Sequence, residues 1–321
     1  MFKSLGALVS TFAFVFSSAA VAQQVTIPPL VKIVVPFAPG ASTDVIARAL
    51  AVRLGARLGT IVMVENRPGA NGMIGASAVV HGPRDGSSLM VFSNSLLTVA
   101  ATTPKMPFDV TKDLIPVAIL GEGPLIVGVN ANSNIKTPAD LVAAARAKPN
   151  GITHGTGGTG TIAHMAAELI NESAKIQMKH IPYRGASAAL IDMSGGTIDM
   201  MIAQYSTLAP GIKGGRVRAI AVTTSQPSPE FPDLPTMATA APGFAANIWV
   251  GLWAPAGTSP ALVQRLNHEV NELTKSKEYA EVLKADGNLP AALTPAELSA
   301  RVRDDYTSWK RLATAKHIVL D

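Results

Sequence analysis

The sequence predicts an α/β fold built as two lobes, with the second lobe inserted into the first. Short β-branched runs alternate with amphipathic segments, a pattern typical of mainly parallel sheets flanked by helices. The apolar stretch 115–129 is broken by glycines and a proline, and a second strand–helix series follows it. The turn-rich stretch 225–242 closes that series. We therefore assign residues 23–124 and 226–321 to the first lobe and residues 125–225 to the second.

Apolar spacing and turn residues predict the individual elements of both lobes. In the first lobe we expect strands at 31–35, 61–64 and 89–92. Helical spacing after the first of these strands places four apolar residues on one face: Ile46, Leu50, Leu54 and Leu58. In the second lobe the helical pattern recurs at Ile162, Met165, Ala166, Leu169 and Ile170. Strands are expected at 152–154, 180–183, 198–203 and 217–222, and again in the first lobe at 249–253.

The composition excludes several classes of function. The chain has 321 residues and no cysteine, which excludes disulfides, thiolate metal sites and a cysteine nucleophile. Lys and Arg number 27 against 22 Asp and Glu, so the formal net charge is only +5, and no basic run occurs. Nucleic acid is therefore not expected as a partner. Only 15% of residues are charged and 48% are hydrophobic, which indicates a folded chain.

The N-terminal residues have the pattern of a secretory signal peptide. Lys3 supplies a basic region, residues 5–16 are apolar, and the small residues 20–22 form a cleavage pattern before Gln23. A membrane anchor is the alternative, but the apolar stretch is shorter than the ~20 residues that a spanning helix needs. We expect residues 1–22 to be removed by cleavage near the Ala22–Gln23 bond, leaving a soluble, exported protein.

A glycine-rich loop at residues 155–160 matches the G-x-G-x-x-G pattern, follows a predicted strand and opens a predicted helix. A dinucleotide site has this context, but it also needs an acidic residue after the next strand, where residues 179–182 read Lys-His-Ile-Pro. Glycines and a helix N-terminus suit a carboxylate as well as a phosphate. A tight turn without a ligand is the third interpretation.

A second small-residue loop, residues 36–44, gives the first lobe the same arrangement. Gly40 offers backbone groups, and Ser42 and Thr43 offer hydroxyls at a helix N-terminus. Asp44 has two interpretations: it complements the helix dipole, or it meets a cationic group of a ligand. Two helix ends that favour anions, one in each lobe, predict a ligand held from both sides.

Three polar residues, Thr161, His164 and Glu168, fall at i, i+3 and i+7, opposite the apolar face of their helix. His164 and Glu168 would supply half of a metal site, but no second His/Glu pair accompanies them. We expect a polar stripe facing solvent or a cleft, and no metal. Arg184 follows a strand, where it either contacts a carboxylate or forms an ion pair.

Motifs of catalysis are absent from the sequence. There is no G-x-S-x-G elbow, no H-E-x-x-H and no P-loop lysine, and Glu65 is interpreted as the end of a strand. We therefore predict no enzymatic activity and no cofactor. An exported enzyme that uses His164 with Asp44 or Glu65 is the competing hypothesis.

Eight stretches resemble one known family, in family order over nearly the whole mature chain: 34–48, 64–75, 83–86, 157–169, 180–190, 220–223, 232–236 and 251–258. They include Val-Val-Pro-Phe-Ala-Pro-Gly at 34–40, Val-Glu-Asn-Arg-Pro-Gly-Ala at 64–70 and His-Ile-Pro-Tyr-Arg-Gly at 180–185. The chain resembles the Bug, or TctC-like, family of bacterial extracytoplasmic solute receptors, which serve tripartite tricarboxylate transporters. One difference is Gly40-Ala41, where the family commonly has Gly-Gly, and the added methyl narrows the pocket.

The resemblance implies a two-lobed, Venus-flytrap periplasmic-binding-protein fold and a small organic carboxylate as the ligand. It implies a periplasmic location, a monomer and membrane transporter subunits as partners; a receptor for a signalling partner is the alternative. Ligand contacts are expected from the first loop and from the second-lobe helix. The candidate ligand-binding residues are Phe37, Ala38, Pro39, Gly40, Ala41, Ser42, Thr43, Asp44, Ser93, Thr156, Gly157, Gly158, Thr159, Gly160, Thr161, His164, Arg184 and Tyr205.

Overall fold

The computed structural model describes residues 26–320 and contains two five-stranded sheets. We call each sheet with its flanking helices a lobe. The predicted signal peptide, residues 1–22, lies outside the described residues. Between residues 26 and 320, every helix is too short or too polar to cross a membrane.

The chain builds the lobes in three parts. The first part contains β1 (Leu30–Val35), α1 (Ser42–Leu58), β2 (Ile61–Asn66), α2 (Met73–Val80), β3 (Ser88–Ser93), α3 (Ser95–Thr102) and β4 (Leu114–Pro124). The second part contains β5 (Ile126–Asn130), α4 (Pro138–Ala147), β6 (Thr153–Thr156), α5 (Ile162–Ala174), β7 (Lys179–Pro182), α6 (Ala186–Gly195), β8 (Met200–Ala203), α7 (Tyr205–Lys213) and β9 (Val217–Val222). The last part contains β10 (Asn247–Pro255), α8 (Pro260–Thr274), α9 (Lys277–Lys284) and α10 (Pro295–Ala315).

Capping residues set the ends of several helices. α1 ends at Gly59, whose φ of 65° is a left-handed conformation that glycine adopts without strain. α4 begins with a capping box, in which the Thr137 side chain accepts from the Asp140 N–H and Asp140 accepts from the Thr137 N–H. α5 begins at Thr161, whose hydroxyl accepts from the His164 N–H. A threonine side chain therefore begins α4 and α5, and a glycine ends α1.

The two sheets have the same topology. Their strand orders are β2-β1-β3-β10-β4 and β7-β6-β8-β5-β9. The orders become identical when β1 is matched with β6, β2 with β7, β3 with β8, β4 with β9 and β10 with β5. Consequently α1 and α5 follow equivalent strands, and so do α3 and α7.

Both sheets are mixed, but four of the five strands in each run in the same direction, which confirms the predicted mainly parallel sheets. β1 is parallel to β2 and β3, but β10 is antiparallel to β3 and β4. Likewise β6 is parallel to β7 and β8, but β5 is antiparallel to β8 and β9. The reason is topological, because β5 and β10 are the strands by which the chain enters a lobe from the other lobe. β5 and β10 therefore begin at the boundary between the lobes, whereas the other strands of each sheet end there.

The chain crosses between the lobes twice, and Thr223 forms hydrogen bonds with both crossing segments. Leu125 links β4 directly to β5, and its N–H donates to the Thr223 hydroxyl at 2.8 Å. The Ala246 N–H donates to the Thr223 carbonyl at 2.9 Å, so the returning chain lies beside the outgoing one. At this junction the chain passes between the lobes.

The exact lobe division stays a prediction, and the packing favours a later return than residue 226. Ile33 lies in the first sheet, and His154, after the predicted strand start at 152, lies in the second. Val222 N–H donates to the Pro235 carbonyl, so the segment after β9 continues along the second sheet. Buried residues of that segment also belong to the second-lobe core: Met237, Ala241, Phe244 and Ala246.

Helices cover both faces of each sheet. In the first lobe α1, α8 and α9 pack on one face, and α2, α3 and α10 pack on the other. In the second lobe α4 and α5 lie on one face, and α6 and α7 lie on the other. α10 reaches both lobes, since its Leu312 and Ala313 bury Met165 of α5.

Candidate functional site

Helix N-termini from both lobes meet at the lobe boundary. Gln204, the residue before α7, donates from Nε2 to the hydroxyl of Ser42, the first residue of α1, at 3.0 Å. In the opposite direction Ile162, the first residue of α5, donates its N–H to the Ser95 hydroxyl at the start of α3, at 3.4 Å. The two contacts are crosswise and equivalent to each other, since one joins α1 to α7 and the other joins α5 to α3. Each predicted loop therefore touches the opposite lobe.

The first loop is held in place by Asp44. The buried carboxylate of Asp44 accepts from the Gly40 N–H at 2.9 Å, from Arg48 Nε at 2.9 Å and from Asn66 Nδ2 at 2.8 Å. Burial alone would raise the pKa of Asp44, but these hydrogen bonds outweigh it and hold that pKa below its usual value. The sequence left two roles for Asp44, to complement the helix dipole or to meet a cationic group of a ligand. The first role fits this geometry, because the carboxylate already accepts hydrogen bonds from donors of its own chain.

The other residues of the first loop differ in exposure. Phe37 packs edge-on against Phe92, with ring centroids 5.1 Å apart, and its carbonyl accepts from Asn66 Nδ2 at 3.1 Å. Thr43 is buried, and Ala41 is half-buried at the position before α1. The three remaining residues are exposed: Ala38, Pro39 and Gly40.

The second loop approaches the first lobe closely because of its glycines. Gly158 and Gly160 both have positive φ, 146° and 80°. A Cβ on Gly160 would lie 2.2 Å from Oγ1 of Thr102, and one on Gly158 would lie 2.7 Å from Oδ1 of Asn71. Nδ2 of Asn71 donates to the Thr159 carbonyl at 3.0 Å. The lobes are therefore in direct contact along this loop.

The hydroxyls of the second loop bond within the loop. Thr161 Oγ1 donates to the Gly158 carbonyl at 2.9 Å while it accepts from His164 N–H at 3.5 Å. Thr156 is buried, and its hydroxyl bonds the Gly158 backbone and, at 2.6 Å, Nε2 of His180. These bonds fix the backbone that precedes α5.

Three histidines stack behind the second loop. The His164 and His180 ring centroids are 3.7 Å apart, and those of His154 and His180 are 5.0 Å apart. Glu168 lies beside them, with Oε1 3.8 Å from His154 Nε2 and 3.9 Å from His164 Nε2. The expected polar stripe is thus wrong for His164, which is buried, because β6 and β7 bring two further histidines against it.

The environment of this cluster keeps the rings of His164 and His180 neutral. Burial, together with the neighbouring histidines, lowers the pKa of His164 to about 4 and that of His180 to about 3. Among the described residues, no group of three or more acidic or histidine side chains has the arrangement of a metal site. The cluster is therefore a packed support for the loop, in which the rings of His164 and His180 are neutral.

Three candidate residues lie at the margin of the two loops. Arg184 is exposed, and the next residue, Gly185, donates its N–H to the Gly157 carbonyl at 3.2 Å. Tyr205 packs against Phe231, with centroids 5.1 Å apart. The buried Ser93 accepts from the Ser95 N–H at 3.4 Å. Ser93 is the last residue of β3, and Arg184 and Tyr205 lie two residues after β7 and β8, so all three belong to the same boundary.

Sequence reasoning missed four residues of this boundary: Asn71, Ser95, Gln204 and Asp286. Ser95 and Gln204 lie within two residues of a strand end. Ligand sites of α/β sheets gather at strand ends, so both residues could have been found from the sequence. Asn71 and Asp286 lie on connections far from either loop in sequence, and no local pattern marks them.

The shape of the molecule defines its class. Two α/β lobes of equal topology, joined by two crossings and touching along helix N-termini, form a two-lobed periplasmic binding protein. The structure of R. palustris Rpa4515 with adipate matches with a TM-score of 0.83, at 28% identity, over 90% of this chain and 98% of that one. MatC from Rhodopseudomonas palustris with bound malate matches with a TM-score of 0.79, at 28% identity, over 88% and 98%.

The sequence comparisons give the family. The model of the tripartite tricarboxylate transporter family receptor matches residues 46–318. Protein BugT of Bordetella pertussis is 34% identical over 282 residues, which cover 87% of this chain and 86% of BugT. The chain belongs to this receptor family, which confirms the resemblance found in the sequence.

Proposed function

We propose that the protein is an exported receptor that captures a small organic carboxylate between its lobes and delivers it to a tripartite tricarboxylate-type transporter. The observation that carries this proposal is the crosswise meeting of α1 with α7 and of α5 with α3 at the lobe boundary. A ligand enclosed there is reached by helix N-termini from both lobes.

The chemistry of helix N-termini supports an anion. The first N–H groups of a helix have no partner within it, and the helix dipole is positive at that end. A carboxylate between α1 and α5 accepts hydrogen bonds from both, in addition to the exposed guanidinium of Arg184. The two structural neighbours contain adipate in Rpa4515 and malate in MatC, which are both carboxylates.

Within this proposal we give the candidate residues different parts, guided by the hydrogen bonds of the loops. Backbone groups of the first loop and of residues 157–163 contact the ligand, with Thr43 and Thr159 as hydroxyl donors at the two helix starts. Asp44 and His164 hold the loops in shape rather than contact the ligand, because their polar atoms already bond the Gly40 and Gly160 N–H groups. Ser93 and Tyr205 line the boundary.

The proposal includes the cellular setting. The N-terminal pattern directs the protein to the periplasm, where it acts as a monomer that binds without chemical conversion. A receptor that signals to a partner protein would use the same capture step. Transport assays in a strain that lacks this chain, with and without the neighbouring membrane subunits, distinguish delivery from signalling.

Thermal melting of ligand-free protein tests the capture step. The protein is unfolded, dialysed and refolded to remove any ligand from the cell, which the absence of cysteine makes practical. It is then melted with dicarboxylates, tricarboxylates, acidic amino acids and aromatic acids. At one hundred times Kd a ligand adds about 2.7 kcal/mol, and each kcal/mol shifts Tm by roughly 2–4 °C. We expect a shift of several degrees for one class of acids, and no shift with any acid would contradict the proposal.

A further inference from the structure

Asp286, which neither predicted loop contains, extends the contact between Ser42 and Gln204 across the lobes. It lies between α9 and α10 and is buried at the lobe boundary. Its Oδ1 accepts from the backbone N–H of Ser206, in the first turn of α7, at 2.8 Å. Its Oδ2 accepts from the Ser42 hydroxyl in α1 and lies 3.4 Å from Nε2 of Gln204. We call these four residues the Asp286 bridge.

The loop that carries Asp286 is fixed on the first lobe. Leu289 and Glu122 exchange two backbone hydrogen bonds, of 2.7 and 3.0 Å, which join the loop to β4. A Cβ on Gly287 would lie 2.3 Å from the Phe231 ring, so the loop also packs tightly against the segment that follows β9. The carboxylate is thus held at a defined position, and only donors of hydrogen bonds face it within the bridge.

The charge of Asp286 complements the N-terminus of α7. A buried carboxylate is costly unless donors surround it, and a helix N-terminus supplies both donors and a favourable dipole. The equivalent contact on the other side, between α5 and α3, is a single bond of 3.4 Å from Ile162 N–H to the Ser95 hydroxyl. The two helix contacts are therefore unequal, because the bridge adds a carboxylate that the contact between α5 and α3 does not have.

The bridge occupies the side chain of Ser42. This hydroxyl donates to Asp286 and accepts from Gln204, so it is used in joining the lobes. Because Ser42 is the first residue of α1, its position also sets the position of the first loop. The bridge therefore connects lobe closure with the geometry of that loop.

We propose that Asp286 is a positioning residue that holds the two lobes closed in the absence of ligand. Its carboxylate takes the place at the α7 N-terminus that an external anion would otherwise occupy. Opening of the lobes breaks the bridge, so its strength sets the fraction of open molecules. Asp286→Asn weakens the bridge without a change in size, since a neutral amide accepts more weakly than a carboxylate.

Interlobe distance in the ligand-free protein tests this inference. The chain has no cysteine, so Val52→Cys on α1 and Ile191→Cys on α6, both exposed, give one dye site per lobe. Single-molecule energy transfer then measures the ratio of open to closed molecules. A hydrogen bond to a charged group corresponds to about a tenfold change in such a ratio. We expect Asp286→Asn to raise the ratio of open to closed molecules by about this factor.

Two further variants keep the test decisive. Asp140→Asn is the matched control, because Asp140 also accepts N–H groups at a helix start, but inside the second lobe. It should leave the ratio unchanged. Ser42→Ala keeps the Asp286 carboxylate and removes one of its hydrogen-bond donors. It should shift the ratio in the same direction as Asp286→Asn, but by a smaller factor. Ser42→Ala also replaces Asp286→Asn in the test if that variant does not fold. An unchanged ratio in a folded Asp286→Asn or Ser42→Ala protein overturns the inference. The measurement uses no ligand, so its outcome is separate from that of the proposed function.

Discussion

His164 accepts a hydrogen bond at Nδ1 from the backbone N–H of Gly160, 3.1 Å away, and so joins the first turn of α5 to the loop before it. An acceptor nitrogen carries no proton, so the neutral ring has its proton on Nε2, the side of Glu168. Protonation of Nδ1 would place two donors face to face. The shape of the second loop therefore depends on a neutral His164.

Acid should destabilise the protein through this histidine. The pKa of His164 in the folded protein is about 4, below the ordinary value of 6.5. Between these two values the unfolded chain binds more protons than the folded protein does. The free energy of unfolding therefore falls as the pH falls from 6.5 towards 4. The free energy of unfolding should fall by about 2 kcal/mol from pH 7 to pH 5 for His164 alone. Urea unfolding at a series of pH values measures the change.

His164→Asn identifies the residue responsible. An asparagine Oδ1 can accept the Gly160 N–H bond and does not titrate. The variant is less stable than the wild type at every pH, because packing is lost. Its free energy of unfolding should nevertheless fall less between pH 7 and pH 5 than that of the wild type. Equal slopes in both proteins would mean that other groups, such as His180, cause the acid sensitivity.

Thr161→Ala should weaken ligand binding while the fold stays intact. Its hydroxyl caps α5 and bonds the Gly158 carbonyl, so its removal frees the loop that offers N–H groups to the ligand. Loss of such a cap costs about 1 kcal/mol of stability. Loss of loop order should reduce affinity by roughly tenfold, as expected for one charge-assisted hydrogen bond. Titration calorimetry with the acid found by thermal melting measures the affinity.

Thr137→Ala is the control for that variant. Thr137 caps α4 of the same lobe in the same way, through a capping box with Asp140. Its substitution should lower stability by a similar amount and leave affinity unchanged. If both variants bind as tightly as the wild type, the second loop does not contribute to the site.

Gly160→Ala should prevent full closure of the lobes. The added methyl would lie 2.2 Å from Oγ1 of Thr102 in the opposite lobe, and the φ of 80° is unfavourable for alanine. We expect a larger radius of gyration in small-angle scattering with saturating ligand, and affinity lower by at least about tenfold, since 1.4 kcal/mol corresponds to that factor. Gly195→Ala is the control, because a Cβ there meets no atom within 4 Å. A Gly160→Ala protein that closes as the wild type does would show that this contact does not form in solution.

Much of the fold was predictable because strands and helices have clear local periods. The strands predicted at 31–35 and 217–222 lie within one residue of β1 and β9, and the helix with Ile162 and Ile170 on its buried face is α5. The direction of β5 and β10 was not predictable from local pattern. It follows from how the chain enters each lobe, which is a property of the whole topology.

The site was predictable only where its residues are close in sequence. Small residues before a helix mark both loops, because a strand–helix turn and an anion site need the same residues. The histidine cluster joins β6, α5 and β7, and Asp286 meets Ser42 across more than two hundred positions. Such contacts are set by tertiary packing, so no spacing rule along the chain reveals them.

Binding of one acid and its matching amide, compared by titration calorimetry, tests the central claim most directly. The claim is that helix N-termini from both lobes capture a carboxylate, so the negative charge itself must matter. The amide has the same shape and lacks that charge, and a hydrogen bond to a charged group is stronger by about 1 kcal/mol or more than a neutral one. With refolded, ligand-free protein, we predict that the acid binds at least about tenfold more tightly than the amide. Equal affinity of the acid and the amide would contradict the account.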